Sequence, residues 1–116
     1  MKETGKINYL EIPSSDLDKT KAFFSHAFGW KFIDYGSDYI AIEDAGIDGG
    51  FYRSPLVATP ESGSVLIVLY SNALEETLKD VKAAGGQIVK DIFAFPGGRR
   101  FHFTDLTGNQ YAVWSE

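Results

Sequence analysis

Asp16 stands 56 positions before Asn72, and Gly29 stands the same distance before Gly85. At that offset Phe32-Ile33 falls on Ile88-Val89. An internal repeat constrains a fold more than any single motif, because each copy must build the same supersecondary unit. In the first copy, residues 6–13 read as a strand. Residues 16–28, DLDKTKAFFSHAF, read as a helix, with Leu17, Phe24 and Phe28 at helical spacing. Ser14 or Ser15 is available as its N-cap, and Gly29 is its expected stop. Three short strands should follow near 30–35, 38–43 and 47–53, set off by Gly, Ser and Asp. Residues 54–63, SPLVATPESG, read as a linker.

The second copy opens on an apolar strand at 64–70, SVLIVLY. Asn72 can cap a helix over 73–84, with Leu74, Leu78 and Val81 on one face and Glu75–Lys79 as a supporting pair. Strands near 87–93, 99–104 and 110–115 complete it, the last two joined by DLTGN. The fold class is therefore α+β: a βαβββ unit used twice. One domain over residues 1–116 is expected, with units at about 6–53 and 64–115.

Composition narrows the function. With 44% hydrophobic residues in 116, the chain can fill one real core. The absence of cysteine excludes disulfides, thiolate metal sites and cysteine nucleophiles. The formal net charge is −5 and the basic residues are scattered, apart from Arg99-Arg100, so no nucleic-acid partner is expected. No apolar run has the length of a signal peptide or membrane span, so a cytoplasmic protein with no membrane partner is expected. No strand–GxGxxG–helix fingerprint is present, so no dinucleotide is implied.

Two stretches carry a resemblance. YLEIPSSDLDKTKAFFSHAFGWKF resembles the opening of the glyoxalase/bleomycin resistance protein/dioxygenase proteins, the vicinal oxygen chelate (VOC) superfamily. AAGGQIVKDIFAFPGGRRFHFTDLTGNQYAVWSE resembles the second half of that family, with its AAGG helix end and F-x-D-x-x-G-N turn. The resemblance implies sheets that curve into a cup, helices on the convex side, a small organic ligand on the concave side, and a homodimer. It also implies where a metal would sit. Metal-using members place His or Glu on the first strand of each unit and Glu near the end of the last strand. Those positions fall on Tyr9, Val65 and Ala112, with a fourth near 49–53. Val and Ala cannot bind an ion, and catalytic sites need about three protein ligands. No metal and no other cofactor are therefore expected, nor is a metal-dependent glyoxalase or ring-cleaving dioxygenase reaction.

Strand parity sorts candidates for the cup. In INYLEIP, residues 7–13, Leu10 and Ile12 share one face, and Ile7, Tyr9 and Glu11 share the other. The repeat offset gives Val65, Ile67 and Leu69 the same cup-facing role, with Ile67 matching Glu11. If DLTGN is the whole loop, Thr104 pairs with Gln110, His102 with Ala112 and Arg100 with Trp114. His102, Thr104, Gln110 and Trp114 then line the cup, and Phe101, Phe103, Tyr111 and Val113 face the helices. A slip of one residue would reverse every assignment.

The chemistry follows from these types. Tyr9 and Trp114 can stack on a planar ligand. Glu11 can accept from a ligand hydroxyl or amine or act as a general base, with His102 as its acid/base counterpart. Arg99 or Arg100 can hold an anionic group. Each has a plainer reading: Glu11 solvated or ion-paired, His102 hydrogen-bonded within its strand, Tyr9 and Trp114 packed in a core or interface, the arginines exposed. Gly49-Gly50, Gly97-Gly98 and Gly108 read as sources of backbone freedom, and 94–99, AFPGGR, as a mobile cover. Three functions stay open: a metal-free small-molecule-binding protein, a lyase or isomerase using Glu11 and His102, and a bleomycin-resistance-type sequestering protein.

Overall fold

The computed structural model describes residues 2–116. Its elements follow the double βαβββ order. The first unit comprises β1 (Tyr9–Ser14), α1 (Leu17–Phe28), β2 (Lys31–Asp34), β3 (Tyr39–Glu43) and β4 (Asp48–Arg53). The second comprises β5 (Ile67–Tyr70), α2 (Leu74–Ala83), β6 (Gln87–Phe95), β7 (Gly98–Thr104) and β8 (Gln110–Ser115). Each unit forms its own sheet, ordered β1-β4-β3-β2 and β5-β8-β7-β6. In both, the first strand runs parallel to the last, and the remaining pairs are antiparallel. Among the described residues no helix is long and apolar enough to cross a membrane.

α1 ties the two sheets together. Phe23 and Phe24 are fully buried. Phe24 stacks on Phe51 of β4 at 5.6 Å and meets Tyr111 of β8 edge-on at 5.2 Å. Phe23 lies 5.9 Å from Phe103 of β7. Burying each such side chain contributes roughly 1.5–3 kcal/mol, so one helix face stabilises both units at once. α2 adds Leu74 and Val81 to the same core.

Several local expectations change. Asp16, not Ser14 or Ser15, caps α1, its carboxylate accepting from Lys19 N at 3.0 Å. Ser14 instead bonds Thr20 inside the core, Oγ to Oγ1 at 2.7 Å. In the second unit Ser71 bonds Thr77 identically, at 2.7 Å. Asn72 caps nothing; Ala73 holds the N-cap place without a side-chain bond, and Ser71 Oγ accepts from its N–H. Glu75 turns to Arg99 rather than Lys79, which lies 3.7 Å from Glu76. The segment expected to be a cover, 94–99, is the tight hairpin of β6 and β7, where Phe95 pairs with Gly98.

The Ser–Thr pairs fix the true repeat offset at 57 through the first strand and helix. It becomes 56 only after the helix ends, where Trp30 N bonds Phe24 O but Gly86 N bonds Val81 O, one residue sooner. The difference reverses the parity assigned to β5. Ile67 and Leu69 pack against the core, while Val68 and Tyr70 are turned outward, about half exposed. Glu11 thus matches Val68, not Ile67, and Val65 lies before β5 at 83% exposure. A one-residue slip exchanges the faces of a strand, and α2's earlier end hid it.

Candidate functional site

The outer face of the first sheet carries Tyr9 and Glu11 on β1, Tyr39 on β3 and Gly50 on β4. Glu11 pairs with Gly50, and Gly50 with Ala41, so Tyr39 is two strands away from Glu11. Its ring crosses β4 above Gly50. A Cβ on Gly50 would come within 2.0 Å of the Tyr39 hydroxyl. This glycine provides space; its φ is not in the left-handed region, contrary to the backbone-freedom reading. Gly97 and Gly108, with φ of 115 and 97, keep that reading.

Across the gap, Tyr39 Oη donates to Glu11 Oε2 at 3.0 Å and meets Tyr9 Oη at 2.5 Å. With the Tyr39 proton committed to Glu11, Tyr9 must donate to Tyr39, giving an ordered chain Tyr9→Tyr39→Glu11. Burial, then the bonds to Tyr9 and Glu11, raise the Tyr39 hydroxyl well above its ordinary pKa. It remains a donor throughout the neutral range. Tyr9 and Tyr39 also border an open hollow of about 440 Å³ with Ile33, Tyr35 and Glu43.

The outer face of the second sheet is read by the register expected from the DLTGN loop. Thr104 pairs with Gln110, His102 with Ala112 and Arg100 with Trp114. His102 is 7% exposed. Arg100 Nε donates to His102 Nε2 at 3.2 Å, and Arg100 Nη2 lies 3.0 Å from the same atom. A guanidinium only donates, so Nε2 is the acceptor and the ring proton sits on Nδ1. The Gln110 side-chain nitrogen lies 3.2 Å from Nδ1; the amide turned end for end would bring its oxygen to that proton. Burial, then the charges of Arg100 and Lys90, push the His102 pKa below its usual value, so the imidazole is held neutral.

Around this pair the face is aromatic. Trp114 meets Tyr70 edge-on at 5.2 Å and Phe95 at 6.4 Å. Arg99, on the opposite face of β7, is engaged by Glu75 of α2 through both guanidinium arms, one at 3.2 Å. That leaves Arg100 as the arginine available to a ligand.

Glu11 and His102 thus belong to separate networks, on separate sheets. A cavity of about 250 Å³ at the seam between β1 and the second sheet is lined by a member of each network. Glu11 lines it from one side and Gln110, the amide that holds His102, from the other, with Ile12, Ile67 and Tyr111 as its apolar wall. Thr104 is half-buried opposite Gln110. The part played by Tyr39 and Gly50 was missed by sequence reasoning. The only signal was a Gly-Gly inside a strand, which marks close approach as readily as a turn.

The positions that metal-using relatives would fill do not fit an ion. Tyr9 is bonded to Tyr39, and Val65 and Ala112 carry no donor. The corrected offset moves the second position to Leu66, which is equally unable to ligate. Among the described residues no group of three or more His, Asp or Glu side chains converges on a point.

Comparison with known proteins agrees with this architecture. The family model for the Glyoxalase/Bleomycin resistance protein/Dioxygenase superfamily matches residues 6–113. A glyoxylase-like domain-containing protein of Didymella fabae is 28% identical over 122 residues, covering 94% of this chain and 92% of that protein. Among solved structures, the fosfomycin resistance protein FosX of Listeria monocytogenes superposes with a TM-score of 0.80 at 19% identity, over 98% of this chain and 95% of that one. A glyoxalase/bleomycin resistance protein/dioxygenase family enzyme of Burkholderia phytofirmans gives 0.78 at 14% identity, over 93% and 96%. At such identities the structural likeness speaks to the fold.

Proposed function

Because the chain belongs to the Glyoxalase/Bleomycin resistance protein/Dioxygenase superfamily, we propose that it binds a small, partly aromatic organic molecule through its own hydrogen-bonding groups. The observation that carries this is the Tyr9→Tyr39→Glu11 chain ending at the seam cavity. Glu11 Oε2 accepts from Tyr39, and among the described residues Oε1 has no protein donor. A ligand hydroxyl or amine in the cavity would supply it. Gln110 offers a second polar contact from the opposite wall, and the apolar lining supports a carbon skeleton.

A homodimer is part of the proposal. Tyr9, Ile33 and Tyr35 on one outer face, and Val68 and Tyr70 on the other, are 40–62% exposed. A second copy would shield such residues. Binding without turnover, as in sequestration, and proton transfer by Glu11 and His102 remain chemically distinct. Binding is preferred because His102 Nε2 is occupied by Arg100 and Glu11 is held by Tyr39.

A fragment screen by thermal shift tests this, using hydroxy- and amino-aromatic compounds on the wild type, Glu11→Gln and Tyr39→Phe. Stabilisation of the wild type that shrinks in Glu11→Gln is the expected result. Fragments that stabilise all three chains equally would put the ligand elsewhere. Turnover of any fragment abolished by both Glu11→Gln and His102→Gln would restore the lyase or isomerase reading. Sedimentation of the wild type at micromolar concentration as a monomer would sink the dimer.

A further inference from the structure

Four strands of the second sheet align four side chains in one transverse row. Phe93 pairs with Arg100, Arg100 with Trp114, and Trp114 with Tyr70. The next row holds Lys90, His102, Ala112 and Val68. A cation therefore sits in the middle of an aromatic row, with a second cation one row below it. The Arg100 guanidinium lies 5.8 Å from the Phe93 ring centre and 5.7 Å from that of Phe95. Lys90 Nζ stands 5.0 Å from the same Phe93 ring.

Neither charge is neutralised. Lys21, Lys31, Arg53, Lys79 and Arg99 each have a carboxylate within ion-pair distance. Among the described residues Arg100 and Lys90 have none. Glu116, at the end of β8, is turned to the Tyr70 hydroxyl at 2.7 Å. A half-buried guanidinium held against rings by a neutral imidazole is fixed in place without a counterion. Aromatic faces orient a guanidinium and favour its charge without taking its in-plane donors; His102 takes the Nε edge, and among the described residues the outer Nη1–Nη2 edge keeps donors unfilled. Those donors match the two oxygens of a carboxylate or the three of a phosphonate or phosphate.

We propose that Arg100, backed by Lys90 and positioned by His102, is the subsite for the anionic group of a planar organic acid whose ring lies along Trp114. This deepens the small-molecule reading, on which it rests, by naming the ligand class: an aromatic or unsaturated carboxylate, phosphonate or phosphate. Arg100 and Trp114 do not line the seam cavity that Glu11 borders, so an acid without a hydroxyl or amine for Glu11 still binds at Arg100.

The test is NMR titration of the ¹⁵N-labelled full chain with benzoate, phenylphosphonate and the neutral isostere benzamide. The expected result is saturable shifts of the Arg100 Nε–H and Trp114 indole N–H with both anions, and binding of benzamide weaker by about tenfold or more. Arg100→Gln should abolish the preference for anions, while Glu11→Gln should leave it intact. Equal affinity for benzoate and benzamide, anion binding that survives Arg100→Gln, or no saturable shift with any probe would overturn the subsite. Should Arg100→Gln fold poorly, the wild-type Arg100 Nε resonance still decides the matter, since it must shift with the anions at concentrations at which benzamide leaves it in place. Failure here with a positive Glu11-dependent fragment screen would leave ligand binding standing without an anion subsite.

Discussion

Tyr39 on β3 donates to Glu11 on β1 at 3.0 Å by lying across Gly50 of the strand between them. The contact depends on an absent side chain as much as on the two that are present. It also fixes which carboxylate oxygen is left for a ligand.

Gly50→Ala should break this arrangement. The new Cβ would stand 2.0 Å from Tyr39 Oη and 2.2 Å from Cζ, so the ring must swing out. The ring end can move on this open face, so the cost is that of the hydrogen bonds to Glu11 and Tyr9, about 0.5–1.5 kcal/mol each. Urea denaturation should show that loss, and Tyr39→Ala combined with Gly50→Ala should cost clearly less than the two single changes added together. Strict additivity would mean that the ring and the glycine are not coupled.

The alkaline limb of stability should follow the tyrosines. Tyr39 is raised by burial and its two bonds, Tyr111 by burial beside Asp105, and Tyr70 by its bond to Glu116. A raised folded pKa means that the native chain keeps these protons longer than the unfolded one. Their stabilising effect is complete below the unfolded value of 10.0 and is lost as pH rises through the folded values. Ultraviolet titration should find tyrosines resisting ionisation past pH 10, one fewer in Tyr39→Phe. A full set ionising together near the free value would refute the network.

His102 works in the opposite direction. Burial and the Arg100 and Lys90 charges lower its folded pKa below 6.5. Its contribution is complete above 6.5 and is lost as pH falls through the folded value, because protonation removes the acceptor for Arg100 and adds a third cation. Melting temperature should therefore drop between neutral pH and about pH 5, and His102→Gln should flatten that slope. An unchanged slope would mean that other groups govern it.

The sequence made the second sheet legible because DLTGN fixes a register: once Thr104 opposes Gln110, every partner of β7 and β8 follows. The repeat made the element order legible for the same reason. What stayed hidden depended on geometry beyond one hairpin. Tyr39 reaches Glu11 only through two successive strand registers, and no pairwise pattern between residues 39 and 11 announces it. The parity of β5 failed because the offset was counted from Asn72 and Gly85, whereas α2 ends one residue early and the preceding strand obeys a different offset. Arg99 and Arg100, alike in sequence, part because β7 sends them to opposite faces.

The DLTGN loop makes the last prediction, and it concerns the joint between the units. Asp105 Oδ1 accepts from Thr107 N at 2.9 Å and Asn109 N at 3.1 Å, and Oδ2 from the Tyr111 hydroxyl at 2.9 Å. That cage holds Asn109, 1% exposed, where its amide donates to Pro13 O of β1 at 2.7 Å and accepts from Ala58 N of the linker at 2.8 Å. One side chain therefore bolts the second unit to the first strand and to the connecting segment. Asn109→Ala would take the side-chain donor from the buried Pro13 carbonyl, at about 1–3 kcal/mol, and the acceptor from the half-buried Ala58 N–H, at less. Asn109→Asp would keep the acceptor for Ala58 but set a carboxylate against the Pro13 carbonyl, so it should not rescue. Both variants should lose several degrees in melting temperature, and hydrogen exchange should quicken at Ala58 before it quickens in β7. Wild-type stability in Asn109→Ala would show that this side chain does not hold the units together.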